Sequence, residues 1–289
     1  MEIREKNKVE KSTLYLVGTP IGNLSDLSER AIKVLSEVDF IAAEDTRNSA
    51  KLLMALGIKK ELVSYHEHNK AESGERIIRR LLSGESCALV SDAGMPAISD
   101  PGEDLVRLCE SYHVTASVIP GPSAVVSALA LSALSTRRFA FEGFLPAKKS
   151  ERCKMLERLK SEERTVIFYE APHKLTATLS DMEEILGERR ITLARELTKL
   201  NEEIIRTTLS GAVALYKEKE PRGEYVLVVE GCEEAGIKQS SDSITKDLTP
   251  EEEVEIYISE GLSKMDAIKK TAKMRGVPKS EIYKLFQND

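Results

Sequence analysis

Cys87-Ala88-Leu89-Val90 runs without a break into Ser91-Asp92-Ala93-Gly94-Met95-Pro96-Ala97-Ile98-Ser99-Asp100-Pro101-Gly102, and this stretch decides the fold. The four apolar residues have the unalternating character of a strand covered on both faces. Gly94, Pro96, Pro101 and Gly102 exclude a helix over the positions that follow. A long polar loop at a strand's carboxyl end is where open α/β sheets seat ligands. Working outward, Ile119-Pro120-Gly121-Pro122-Ser123-Ala124 follows the next expected strand, Thr115–Ile119, in the same way. Two loops shaped by glycine and proline on neighbouring strands favour a pocket over a pair of decorated turns.

Upstream, strand-like and helix-like segments alternate from Thr13 in the order of a mostly parallel sheet with covering helices. A strand over 14–17 ends in Gly18-Thr19-Pro20-Ile21-Gly22-Asn23, and Ser28 caps the helix after it. Phe40–Ala43 ends in Glu44-Asp45-Thr46-Arg47, and a strand over 61–65 ends in His66-Glu67-His68-Asn69. Downstream, an alanine-rich helix over 123–134 leads to further strands at 139–141, 165–169, 191–194, 203–209 and Tyr225–Val229. The expected organisation is a tail over 1–12, an amino-terminal α/β domain over 13–122, a second α/β domain over 123–232, a polar linker over 233–247 and a helix-turn-helix-like module over 248–289. In that module Met265, Ile268 and Ala272 share an apolar face ahead of the turn Arg275-Gly276-Val277-Pro278. A plain helical hairpin satisfies the same spacing.

A chain of 289 residues with 41% hydrophobic and 31% charged residues suits two globular domains and excludes general disorder. No apolar run reaches membrane-spanning length, and the charged amino end lacks a signal-peptide core, so a cytoplasmic protein is expected. Cys87, Cys109, Cys153 and Cys232 are scattered without metal-ligand spacing and read as reduced thiols. With a net charge of −6, any nucleic-acid contact must come from a local basic surface.

The chemistry-bearing residues lie just after expected strands: Glu44, Asp45 and Arg47; His66 and His68; Asp92; Ser123; Tyr169-Glu170-Ala171-Pro172-His173; and Arg195-Glu196-Leu197-Thr198-Lys199. Parallel strands would bring them to one edge of a sheet. Gly18 and Gly22 with Pro20 between them do not make a dinucleotide fingerprint, and there is no P-loop or Gly-x-Ser-x-Gly elbow. His66 and His68 share a face if extended, but no third ligand is evident, and no metal is expected.

Taken together, Gly18-Thr19-Pro20-Ile21-Gly22-Asn23-Leu24, Glu44-Asp45-Thr46-Arg47, the 91–102 loop, Pro120-Gly121-Pro122-Ser123-Ala124, Tyr169-Glu170-Ala171-Pro172-His173 and Ala194-Arg195-Glu196-Leu197-Thr198-Lys199 closely resemble the bacterial ribosomal RNA small subunit methyltransferase I family, within the tetrapyrrole methylase superfamily. The match runs over 14–231. The resemblance implies a two-domain α/β fold of the tetrapyrrole-methylase type and S-adenosylmethionine-dependent 2′-O-methylation of a cytidine ribose in the decoding centre of 16S rRNA. It also implies a homodimer with the cofactor between the domains. Carried over by residue, the cofactor would touch Pro20, Ile21, Asp92, Gly94, Met95, Ser123 and Ala124, with Tyr169 and Leu197 closing it from the second domain. A sulfonium has no phosphate, so it asks for carbonyls, a carboxylate such as Asp92 and apolar walls. The chain departs from the family pattern at Met95, where threonine is usual, and at Ala147-Lys148-Lys149, where an arginine is usual, which keeps positive charge but loses forked phosphate recognition.

Methyl transfer to a hydroxyl needs in-line alignment and a base for the departing proton. Asp45 or Glu44 is the expected base, with Arg47 and Glu170 completing the catalytic set. Lys148, Lys149 and Arg152, within a basic stretch over 137–160, together with His173, Arg195 and Glu196, are the expected RNA-side residues. Two other readings remain open from the residues: a small-molecule tetrapyrrole methyltransferase, and a non-enzymatic nucleic-acid binder built on the carboxyl-terminal module.

Overall fold

Alternation within short apolar strands builds the first sheet. The computed structural model describes residues 8–232, 249–259, 262–275 and 277–286. The tail over 1–7, the linker over 233–247 and Gly276 of the expected turn lie outside the described residues. Strands β1 (Thr13–Val17), β2 (Phe40–Ala43), β3 (Glu61–Ser64), β4 (Cys87–Val90) and β5 (Thr115–Ile119) are all parallel, in the order β3-β2-β4-β1-β5. Phe40, Ala42, Cys87 and Leu89 face helices α3 (Lys70–Leu82) and α4 (Gly102–Ser111). Their neighbours Ile41, Ala43, Ala88 and Val90 face α1 (Glu29–Glu37) and α2 (Thr46–Ala55) on the other side. Both faces are therefore buried, which is why these strands read as continuous apolar runs. Ser28 caps α1 by accepting the Ala31 N–H, as its position predicts.

The second sheet departs from the parallel expectation. Strands β6 (Phe139–Phe144), β7 (Thr165–Glu170), β8 (Arg190–Arg195), β9 (Glu203–Thr208) and β10 (Tyr225–Val229) stand in the order β6-β7-β10-β8-β9. Only β6 and β7 pair in parallel, whereas β10 runs antiparallel to both β7 and β8. The carboxyl ends of β7 and β8 still meet at one edge, because Glu170 and Arg195 both register with Tyr225 at the start of β10. Helices α6 (Lys149–Arg158), α7 (Pro172–Leu186) and α8 (Leu209–Glu218) cover one face of this sheet, while α5 (Ala124–Leu131) packs on the other with Ile21.

Among the elements whose lengths differ from the sequence reading, two have a visible cause. Helix α5 stops at Leu131, not near Leu134, because its last carbonyls are taken from the second sheet: Arg206 donates to Leu131 O at 2.6 Å and Thr192 to Ser132 O at 2.8 Å. Strand β6 runs on to Phe144 through a bulge at Glu142-Gly143, with Gly143 at φ +67°.

The chain divides into two compact units, 1–232 and 233–289. The second comprises α9 (Pro250–Ser259), α10 (Lys264–Arg275) and α11 (Lys279–Leu285), packed around Val254, Ala267, Ile268, Ala272 and Ile282. Met265, expected on that apolar face, is instead 44% exposed, and Ala267 fills the position against α9 and α11. No helix among the described residues is long and apolar enough to cross a membrane.

Candidate active site

The connection after β2 leads outward to β3, and that after the adjacent β4 leads the opposite way to β5. Such a topological switch point opens a crevice at the carboxyl ends of the strands. Glu44 stands on one side of it and Asp92 on the other, with the Asp45 N–H donating to Asp92 Oδ1 at 3.2 Å.

Three loops interlock beside the crevice. Thr19 and Gly94 exchange backbone hydrogen bonds of 2.9 and 3.1 Å, forming an isolated bridge between the loops after β1 and β4. Gly18 lies against Gly121, so close that a Cβ on either residue would come within 2.9 Å of the other's backbone. Asp100 Oδ1 accepts the N–H groups of Ala97 at 2.9 Å and Gly102 at 2.7 Å, which starts α4 and holds Ala97 and Ser99 at positive φ. Strain of that kind is kept where surrounding structure over-determines it, commonly at ligand sites.

Together with the carboxyl ends of β6, β7 and β8 these loops enclose a cavity of about 680 Å³, a volume suited to a cofactor with room beside it. Of the residues expected at the cofactor, Ile21, Asp92, Gly94, Met95, Ser123, Ala124, Tyr169 and Leu197 line it, while Pro20 does not. Ser123 occupies the N-cap of α5 without spending its hydroxyl there, and Thr198 Oγ1 is buried with no hydrogen-bond partner among the described residues.

The charged candidates divide sharply. Glu44 lines the cavity, and burial, with Asp92 and then Asp100 nearby, raises its carboxyl pKa above the ordinary value. Asp45 does not line it. Its carboxylate caps α2 by accepting the Arg47 N–H at 2.8 Å and grips the Arg47 guanidinium at 2.7 Å, and these bonds hold its pKa down to about 2. Glu170 reaches the cavity wall but is 2% exposed, with Oε1 accepting the Ala171 N–H at 2.9 Å and Oε2 the Thr178 hydroxyl at 2.6 Å. His173 and Glu196 also line the cavity, and Glu196 Oε1 is held by Lys199 Nζ and the Glu224 N–H, each at 2.9 Å.

Four RNA-side candidates lie away from the cavity. Arg152 is buried and pairs with Asp181 at 2.6 Å while donating to the carbonyls of Pro146 and Ala147. Lys148 and Lys149 are exposed beside Glu151 and Asp181, and Arg195 pairs with Glu203 at 3.0 Å. The sequence reading passed over Glu224, Tyr225 and Phe144, which do line the cavity. Nothing local announces the first two, because they enter at the amino end of an antiparallel strand.

Two α/β sheets meeting at a cavity with glycine-shaped loops match one class, the methylases of tetrapyrrole type, and the comparisons agree. The family model for Tetrapyrrole (Corrin/Porphyrin) Methylases matches residues 13–213. The ribosomal RNA small subunit methyltransferase I of Halalkalibacterium halodurans is 49% identical over 97% of this chain and 96% of its own length. That of Bacillus subtilis is 48% identical over 96% and 95%. A uroporphyrin-III-C-methyltransferase structure from Thermus thermophilus shares the fold, with a TM-score of 0.54 at 20% identity over 75% of this chain and 94% of that one. This chain belongs to the tetrapyrrole methylase family and, within it, to the ribosomal RNA small subunit methyltransferase I group.

Proposed function

We propose that this protein methylates the 2′-hydroxyl of a cytidine ribose in the decoding centre of 16S rRNA, using S-adenosylmethionine held where its two α/β domains, 13–122 and 123–232, face each other. The observation that carries the chemistry is Glu44, a carboxylate with raised pKa and no paired cation among the described residues, standing beside Asp92 at the switch point. The RNA acceptor comes from the names of the relatives.

The cavity fits the cofactor. Ile21, Met95, Ala124 and Leu197 give apolar walls, Asp92 a carboxylate, and Ser123 a hydroxyl not spent on the α5 cap. Gly94 at φ +81° leaves a gap beside Ile21 that a Cβ would narrow to 3.3 Å. When bound, S-adenosylmethionine supplies an electrophilic methyl carbon. Glu44 accepts the ribose hydroxyl proton as the new bond forms, and its raised pKa brings it nearer the operating pH of a useful base. Asp45, held near pKa 2 by Arg47, orients the loop rather than taking the proton. Exposed Arg137, Arg138, Lys148, Lys149, Lys154, Arg158 and Lys160 hold flanking phosphates. Arg152 supports that surface from beneath.

The reading includes a homodimer and a cytoplasmic place of action beside the ribosome. The free edge of β5, where Val118 is half exposed, supports a second copy, and light scattering of the purified protein tests it. The deciding assay is transfer of labelled methyl from S-adenosylmethionine to small ribosomal subunits from cells lacking this activity, with mass mapping of the product. Label on a decoding-centre cytidine ribose is expected. Label on another nucleotide, or none on subunits and free 16S rRNA, overturns the acceptor.

A further inference from the structure

Side chains in a regular strand alternate, so residues three apart point to opposite faces. In β6, Phe141 and Phe144 break that rule, since both rings pack on Tyr169, at centroid distances of 4.9 and 5.4 Å. The cause is the bulge. Phe141 registers with Ile167, but Glu142 and Gly143 together oppose Phe168, so Phe144 registers with Tyr169. Without the extra residue Phe144 would pair with Glu170 and turn toward the face covered by α6, α7 and α8. The bulge instead sends it into the cavity, where Gly143 sits against Ser99 of the central loop.

The result is an aromatic ring that lines the cavity yet is 55% exposed, opposite a central loop in which Ile98 is exposed to a similar degree. Tyr169 supports it from behind, leaving the outer surface of the ring without a partner among the described residues. The same strand end leads directly to Lys148 and Lys149, both well exposed. A stacking surface with ammonium groups a few residues on matches a nucleotide, whose flat base and flanking phosphates need those two features together.

We infer that Phe144 is the platform on which the base of the acceptor nucleotide stacks once it has left the RNA stack, placing the ribose hydroxyl toward Glu44. This rests on the RNA reading of the site. Phe144 is a positioning residue: it touches the base and not the reacting atoms.

The test uses the full chain, S-adenosylmethionine and unmethylated small ribosomal subunits, with Phe144→Leu, Phe144→Tyr and Phe144→Trp. Phe144→Leu should lower kcat/KM for subunits by roughly 5- to 100-fold, mainly through KM, with cofactor affinity by calorimetry unchanged. Phe144→Tyr and Phe144→Trp should restore most of the loss, since each offers a π face. A leucine variant as active as wild type overturns the platform, and so does an equal loss of cofactor affinity or a tryptophan variant no better than leucine. Wild-type protein that leaves RNA unlabelled but methylates a corrin or porphyrin defeats the RNA reading itself and takes the platform with it, an outcome visible before any variant is made.

Discussion

Glu44 and Glu170 are the same residue in the same kind of place, the carboxyl end of a buried strand at the wall of one cavity. The protein uses them oppositely. Both oxygens of Glu170 are committed, one to the chain entering α7 and one to Thr178 inside it, so that carboxylate ties β7 to its helix. Glu44 has no paired cation among the described residues, and its neighbours Asp92 and Asp100 repel its charge. Beside the first sheet Glu44 thus keeps a carboxylate with no paired cation among the described residues, while the second half commits more of its charge internally, as Arg152 with Asp181 and Glu196 with Lys199 repeat.

That contrast breaks first if Glu44 is dispensable. Glu44→Gln should lower kcat about 10²- to 10⁴-fold with cofactor affinity unchanged, as loss of a general base does. The wild-type rate should fall as pH drops through the raised Glu44 pKa, because the proton then occupies the base; in Glu44→Gln that limb should vanish. The sign for stability is opposite. A raised folded pKa means ionisation works against folding, so Glu44→Gln should melt higher than wild type at neutral pH and lose the advantage below that pKa.

On the structural side, Asp181→Ala strands the buried Arg152 guanidinium and should cost about 3–5 kcal/mol in urea unfolding, with cofactor affinity unchanged. Glu170→Gln should cost less, about 1–3 kcal/mol, and leave kcat close to wild type once the protein is folded. A large kcat loss there would erase the distinction between the two glutamates. The smallest effect sharpens the RNA surface: Lys149→Ala should reduce the slope of log affinity for RNA against log salt by about 0.7–0.9, the share of one phosphate. An unchanged slope would remove Lys149 from the interface.

Much of this architecture was legible because it is local. The bounds of β2, β4 and β10 follow from apolar runs closed by polar or glycine-rich turns, and helix α4 begins at Gly102 where the proline-rich loop releases it. Most of the loop residues expected at the cofactor reach the cavity, since a parallel sheet carries every strand's end to one edge. The reversal of β10 was not legible, because period-2 alternation is the same for parallel and antiparallel strands. Phe144 was hidden for a related reason: the bulge that turns it inward depends on how β6 registers with β7.

The residues alone determined the class of fold and the loops at the carboxyl edge of its first sheet, both written in short-range patterns of glycine, proline and apolar side chains. Only the tertiary structure decided which charges remain available. Asp45 and Glu44 are neighbours, yet one is spent on Arg47 and the other has no paired cation among the described residues. Arg152 finds Asp181 29 positions away, and Thr19 meets Gly94 75 positions away. Partner choice is made across such distances by packing, and a charge shows its purpose only once its partner, or the lack of one, is in place.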